Sequence, residues 1–441
     1  MGTNRLANIK INQISALQIF QLIRYSTLIL IGVVFAKSVL STTEIGRYET
    51  VLFLAGAVSF FWLNGLIQGF LPTAGKHSST SRSSDLFNVF YLLLAFSVLS
   101  VVFVIVFEHS ISGYLLKGEG IPFLKYLSIY LLLASPAGLV EYIYLVKGQG
   151  RQMLVYGAVS YALMFLLVVL PPLFGFGIEG GLIGLVISAA VRFVWLLVLL
   201  FLNSSPRFNI EFISRHLKSA APLVFSMLLS GSGQYIDGFI ITGYFDDATF
   251  AVFRFGAREL PLVLLLANSF SASMLPGFGN QSGLKANLET IRRNSQKLGS
   301  WLFPLSGLLM LVSHWAFPVI FNMNFSGSAT IFNIYLLLII SRLLFPQTIL
   351  IGLQQNRPIL WASFLEIVLN VSLSLLFLQF WGLPGVAYGT VCAYIFEKLI
   401  LMGFVKKIYG FHVSAYLNVK QHLLYSLLLT AEFAVVEFLI W

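Results

Sequence analysis

Five arginines stand in stretches of chain that are otherwise too apolar to hold a charge: Arg24, Arg192, Arg254, Arg258 and Arg342. A guanidinium stays ionised and presents paired donors that match phosphate or carboxylate. In lipid such a charge costs at least a few kcal/mol, so it turns toward a partner, a bundle interior or a wet cavity. Arg254 and Arg258 stand four residues apart, where like charges on a helix repel. They need an acid such as Asp237, or an anionic ligand, beside them. Glu259 follows Arg258 directly but points about 100° away on a helix, which makes it a poor partner. The chemistry expected of these cations is recognition of a phosphorylated anion. Arg24, Arg254, Arg258 and Arg342 are assigned to the lining of a cavity, with Arg192 as a further candidate. For Arg192 and Lys398 a structural ion pair is an equal reading.

Uncharged polar residues accompany them. Gln18, Gln21 and Tyr25 share a broad helical face with Arg24, and Ser226, Ser230, Gln234 and Asp237 recur at the same spacing 200 residues later. Two such stripes are expected to line a cavity. The acids suited to carry a coupling proton or sodium ion are Asp237, Glu141, Glu366 and Glu397, with a basic neighbour as the alternative role for Glu397. Glu432 and Glu437 belong to the last apolar run and are read as peripheral. His109 and His314 are isolated in sequence. No phosphate loop, metal-ligand spacing or nucleophile elbow is found, so no cofactor is expected beyond H+ or Na+.

The elements that must position these groups follow from composition. The 441 residues are 58% hydrophobic and 10% charged, where a soluble domain carries about 25% charged residues. So much apolar surface requires lipid as solvent. Spans are predicted at 14–37, 49–74, 86–107, 122–146, 153–175 and 178–202, then at 219–244, 248–277, 298–321, 330–353, 358–381 and 384–405. A further run from His422 to Trp441 ends the chain. The polar N-terminus and the long first span do not fit a cleaved signal peptide. Cys392 is the one cysteine, so no internal disulfide forms. The formal charge of +10 is assigned to topology and not to nucleic acid. Arg5, Lys10, Lys76, Arg82, Lys147, Arg207, Arg215, Lys285, Arg293 and Lys406 all fall in alternate loops, which places the N-terminus in the cytoplasm. Asn203 to Lys218 is an amphipathic linker, and Gly279 to Lys297 a basic cytoplasmic loop.

The chain also contains one stretch twice. Gln149-Gly150-Arg151 opens an apolar segment that ends in Gly177, Gly180 and Gly184; Gln355-Asn356-Arg357 opens another that ends in Gly382, Gly385 and Gly389. The glycines correspond at a separation of 205 residues. Two similar halves fused head to tail are a common transporter plan. The expected fold is an all-α polytopic membrane protein: an N-terminal six-helix bundle at 1–205, a C-terminal six-helix bundle at 206–410, and an extra membrane helix at 411–441.

The segment Phe35 to Glu49, with Glu44-Ile45-Gly46-Arg47-Tyr48-Glu49 at its end, resembles the signature after the first helix of polysaccharide flippases of the multidrug/oligosaccharidyl-lipid/polysaccharide exporter superfamily. Asp246-Asp247-Ala248-Thr249-Phe250-Ala251-Val252-Phe253 is its second-half echo. The Gly-Gln-Gly-Arg and G-x-x-G-x-x-x-G segments are similar to that family as well, and the resemblance covers about residues 10–410. It implies a V-shaped exporter of two pseudo-symmetric bundles in a bacterial cytoplasmic (inner) membrane. For the polysaccharide (Wzx-type) branch it implies turnover of undecaprenyl-pyrophosphate-linked repeat units, such as O-antigen units of lipopolysaccharide, through a cationic lumen. Membrane lipids, a polysaccharide polymerase and chain-length machinery are the partners it implies. The thirteenth span departs from the family's usual twelve or fourteen. Rival readings are a cation-coupled drug or metabolite exporter of the same fold, expected to be rich in cavity acids; a lipid II flippase, usually longer; a membrane glycosyltransferase or polymerase, expected to carry a large outer loop; and a structural membrane subunit.

Overall fold

The computed structural model describes residues 13–74, 84–115, 120–258 and 284–440, with isolated positions between 263 and 278. Among these residues every regular element is helical. In the first half these are α1 (Gln13–Lys37), α2 (Thr42–Ala74), α3 (Asp85–Val106), the short α4 (Glu108–Leu115), α5 (Leu124–Ala137), α6 (Leu139–Val146), α7 (Gly150–Leu173) and α8 (Gly177–Asn203). The second half holds α9 (Ile210–Gly231), α10 (Gly233–Tyr244), α11 (Asp247–Gly256), α12 (Leu284–Ile320), α13 (Gly327–Leu336), α14 (Ile339–Arg342), α15 (Pro346–Gly352), α16 (Asn356–Trp381) and α17 (Leu383–Tyr409), and α18 (Val419–Val435) ends the chain. A backbone in lipid must satisfy its own hydrogen bonds, which is why the apolar stretches are all helix. The chain is a multi-pass membrane protein.

Among the described residues ten helices are long and apolar enough to cross a membrane, or eleven if the pair Gly327–Arg342 and Pro346–Gly352, bent by 45°, is one span. Two of the expected spans are interrupted, and most of a third is not described. The fourth, which still runs a membrane's length from Leu124 to Val146, is interrupted between α5 and α6 at Gly138, just after Pro136, because proline removes a donor and crowds the preceding turn. The seventh breaks into α9 and α10 at Ser232, between Gly231 and Gly233. Of the eighth, α11 carries the start; most of its remainder lies outside the described residues, as do Glu259, Lys76, Arg82, Arg5 and Lys10. The expected basic loop is corrected too. Residues 284–297 form the first turns of α12, since Leu288 and Ile291 are buried at helical spacing.

The repeated glycines do the same work in both halves. Gly177 and Gly382 take positive φ, 59° and 61°, which non-glycine residues adopt at a cost. Each starts a helix that returns against its predecessor. A Cβ on Gly184 would stand 1.8 Å from the Leu167 carbonyl oxygen, and one on Gly389 would stand 2.5 Å from the Ser374 nitrogen. The backbones of α7 and α8, and of α16 and α17, therefore touch where small residues allow it. Gly184→Ala is expected to destabilise purified protein by about 1–3 kcal/mol, because backbone must move. Gly113→Ala, with nothing within 4 Å of the added atom, is the control; equal melting temperatures would refute the close approach.

The expected linker is shorter than predicted. It spans 204–209, and the buried Asn88 holds it by donating to the Arg207 carbonyl at 3.1 Å and accepting from the Asn209 amide at 2.9 Å. The extra helix is present as α18, which runs on into a π-helical turn, Val436–Ile440. His314 and Glu437, read as isolated and peripheral, meet instead: His314 Nε2 lies 2.8 Å from Glu437 Oε1, which also accepts from Asn333 Nδ2 at 2.6 Å. Spacing in sequence could not reveal a contact across 123 residues. Glu437→Ala strips both partners of a buried acceptor, at about 1–3 kcal/mol. A protease site appended after the last residue should then open faster than in wild type; an unchanged rate would deny this clasp.

Contacts divide the chain into two compact units. One holds α1 as far as Ile31, Trp62–Phe103 and Lys125–Val224; the other holds Gly32–Phe61, Val104–Leu124 and the chain from Phe225 onward. This division cuts through α1, α2, α3 and α9 and at the first residue of α5, so it differs from the division by repeats.

Candidate functional site

In the first unit, α1 carries Arg24 toward Glu141 on α6, with Nη1 3.9 Å from Oε1. Arg24 also lies over the Tyr25 ring, 5.4 Å from its centroid. Arg192 of α8 lies over the Tyr161 ring at 5.7 Å. Its buried Nε has no hydrogen-bond partner. One guanidinium thus faces the carboxylate, and tyrosine rings receive both cations. Gln18 and Gln21 are half-buried on the same helix, and Tyr25 is exposed.

In the second unit two arginines share one carboxylate. Arg258 Nη2 donates to Glu49 Oε1 at 2.6 Å, and Arg254 Nε lies 3.6 Å from Glu49 Oε2. Glu49, near the start of α2, is 3% exposed. Arg258 covers the Phe255 ring at 4.7 Å and Arg254 the Phe53 ring at 5.9 Å. The site rests on a tight crossing: a Cβ on Gly46 would stand 1.8 Å from the Asp247 carbonyl oxygen. Beside it, Arg47 Nε donates to Asp247 Oδ2 at 3.2 Å. Asp246 caps α11 by accepting from the Thr249 amide at 2.8 Å, as an N-terminal acid does.

Two expectations are corrected here. The acid between Arg254 and Arg258 is Glu49, not Asp237. The two arginines also do not share one helix, because α11 ends at Gly256 and Arg258 lies beyond it. Glu49 was missed as a site residue although it closes the Phe35–Glu49 motif. The echo of that motif, Asp246 to Phe253, leads directly into Arg254, and this pairing of motifs was the available signal. Arg342, at the end of α14, covers the Tyr394 ring at 4.7 Å.

Asp237 belongs to a third assembly, built by α10, α13, α16 and α17. Its carboxylate accepts from the Tyr335 hydroxyl and, at 2.5 Å, from Thr390 Oγ1. Asn370 Oδ1 lies 3.3 Å from Thr390 Oγ1 and accepts from Ser374 Oγ at 3.0 Å. The Val386 carbonyl lies 3.2 Å from Ser374 Oγ and 3.3 Å from Thr390 Oγ1. Tyr335 is 9% exposed and the other five residues at most 4%. Four acceptor oxygens share three hydroxyl protons here, so the nest has an excess of acceptors around one carboxylate. Glu366 lies at its edge, 3.5 Å from Asn370 Nδ2. Glu397 sits with Lys398 at 2.9 Å, and Lys398 reaches Gln347 at 3.3 Å. Gln234 of α10 is exposed. Among the described residues no three His, Cys, Asp or Glu side chains gather to hold a metal.

A sequence family described as polysaccharide biosynthesis protein matches residues 39–330. The chain belongs to this family. The matched region of this polysaccharide biosynthesis protein holds Glu49, Glu141, Arg192, Asp237, Arg254 and Arg258, and ends before Arg342 and the Asn370–Thr390 part of the nest. No curated protein sequence matches the chain. Solved structures give the fold. The lipid II flippase MurJ in an inward closed conformation is 16% identical, with a TM-score of 0.68, over 95% of this chain and 92% of that one. A MOP superfamily transporter from Pyrococcus furiosus is 12% identical, with a TM-score of 0.58, over 99% and 100%. A mutant of the Vibrio cholerae MATE transporter VcmN is 14% identical, with a TM-score of 0.55, over 91% and 95%. The family member described here thus has the fold of the MOP-superfamily transporters.

Proposed function

We propose that this protein is a flippase for undecaprenyl-pyrophosphate-linked oligosaccharide repeat units, working by alternating access in the bacterial cytoplasmic membrane. The observation that carries the reading is the pair of arginines, Arg254 and Arg258, on the single buried carboxylate of Glu49. In the other unit Arg24 faces Glu141 and Arg192 covers Tyr161, so among the described contacts cations outnumber acids in each group. Such a surplus is costly unless an anion answers it. A pyrophosphate offers bidentate partners to several guanidinium groups at once. Membership of a polysaccharide biosynthesis family supports a glycan on that phosphate, and the prenyl chain would remain in the bilayer. A polymerase and chain-length machinery would take up the delivered units.

The Asp237 nest supports a coupling ion, H+ or Na+. Oxygen ligands from a carboxylate, an amide, a hydroxyl and a helix carbonyl are what transporters offer a small cation near the middle of the bilayer. The nest also favours a second reading, a cation-coupled drug or metabolite exporter of this fold. The two are separated by reconstitution. Proteoliposomes carrying polyprenyl-pyrophosphate oligosaccharide should lose protection of their inner-leaflet sugar from an added glycosidase when the protein is present. Full protection, together with gradient-driven efflux of a cationic dye, would replace the flippase by the exporter.

A further inference from the structure

The long helix α12 carries a stripe that neither the arginine clusters nor the nest uses. At 37 residues it is nearly twice the length a span needs, and its first turns are basic. Along one face the residues run Asn294, Lys297, Leu298, Trp301, Leu302 and Leu305, at steps of three and four. The stripe is polar at its beginning and wholly apolar from Leu298 on, which is the order a lipid molecule presents from headgroup to chain. The same residues, with Leu266 and Phe270 opposite them, line a cavity of about 490 Å³, a size typical of small-molecule pockets. Lys297 and Arg293, one turn apart, are exposed and have no ion pair among the described residues, whereas Arg292 is paired with Glu289 at 3.7 Å. Trp301, 76% exposed, stands where aromatic side chains mark the bilayer interface. Leu305 lies about 12 Å further along the axis than Lys297, at the rise of an α-helix.

We propose that this cavity binds an anionic glycerophospholipid, with one acyl chain between α12 and the side chains of Leu266 and Phe270 and the phosphate on Lys297 and Arg293. The charge of the mouth selects an acidic headgroup, and the apolar depth selects a chain. The lipid comes from the leaflet on the basic side of the protein, which the loop charges identify as cytoplasmic. The inference stands apart from the transported substrate, since it uses neither the arginine clusters nor Asp237.

Native mass spectrometry of the full-length protein tests it, with phosphatidylglycerol, phosphatidylcholine and a polyprenyl monophosphate as probes. Wild type should retain phosphatidylglycerol over phosphatidylcholine, and Lys297→Glu and Arg293→Glu should each lose about fivefold of that preference, as one basic residue near a lipid surface predicts. Leu305→Trp, which fills the cavity, should lower retention of every lipid while melting as wild type does. Equal retention of the two phospholipids, or no change in Lys297→Glu, would overturn the proposal. Displacement of phosphatidylglycerol by an equal concentration of polyprenyl phosphate would also overturn it, by assigning the cavity to a different lipid.

Discussion

Arg258→Glu is expected to abolish export of repeat units while the protein still reaches the membrane. The substitution puts a second carboxylate beside Glu49, at a site where Arg258 now donates at 2.6 Å to an almost fully buried oxygen. Removing one partner of a buried pair costs about 3–5 kcal/mol, and a like charge in its place costs more. Only part of this falls on stability, because Arg254 remains within 3.6 Å of Glu49. For transport, about 3 kcal/mol at the phosphate corresponds to a loss of about 100-fold, enough to leave no detectable surface polysaccharide. Immunoblotting of membranes, glycan staining and recovery of stranded lipid-linked units read the three quantities separately. The exchanged pair Glu49→Arg with Arg258→Glu should restore membrane abundance better than activity, since the net charge returns but the donor geometry does not. Normal polysaccharide in the Arg258→Glu strain would remove these arginines from the binding site.

Asp237→Asn is expected to uncouple turnover from the ion gradient. The amide keeps nearly the same shape; its oxygen can accept from one of the Tyr335 and Thr390 hydroxyls and its NH2 can donate to the other, so the four helices around the nest should stay packed. What it loses is the one formal negative charge among the oxygens of Asn370, Ser374, Val386 and Thr390. A small cation held by a carboxylate and neutral dipoles should lose at least about 100-fold in affinity without that charge, at several kcal/mol for an ion pair in an interior. In proteoliposomes the wild type should respond to an imposed Na+ or pH gradient, and the variant should not. Thr390→Val, which removes a donor and a ligand but no charge, should give an intermediate response. Gradient-dependent transport that survives in Asp237→Asn would show that the coupling ion binds elsewhere, with Glu366 the next acid to test.

The lipid-facing character of the chain, its all-helical architecture and its internal repeat were legible in the sequence because each depends on local quantities. Mean apolarity selects lipid as solvent, helices follow from backbone hydrogen bonding in that solvent, and the two glycine triplets mark where neighbouring helices touch. The arginines that matter were visible too, since a charge in an apolar run is conspicuous without any knowledge of contacts. Their partners were not. Glu49 meets Arg258 across 209 residues, and Glu437 meets His314 across 123; no periodicity encodes which acid faces which base. The same limit explains the breaks. Proline and glycine at 136, 138, 231 and 233 signal weak points, but whether a helix bends there depends on the helices it packs against. Sequence alone determined the solvent, the helices and the stock of charges. Tertiary structure decided which charges cancel and which remain in excess, because electrostatic energy depends on distances that only the packed helices set.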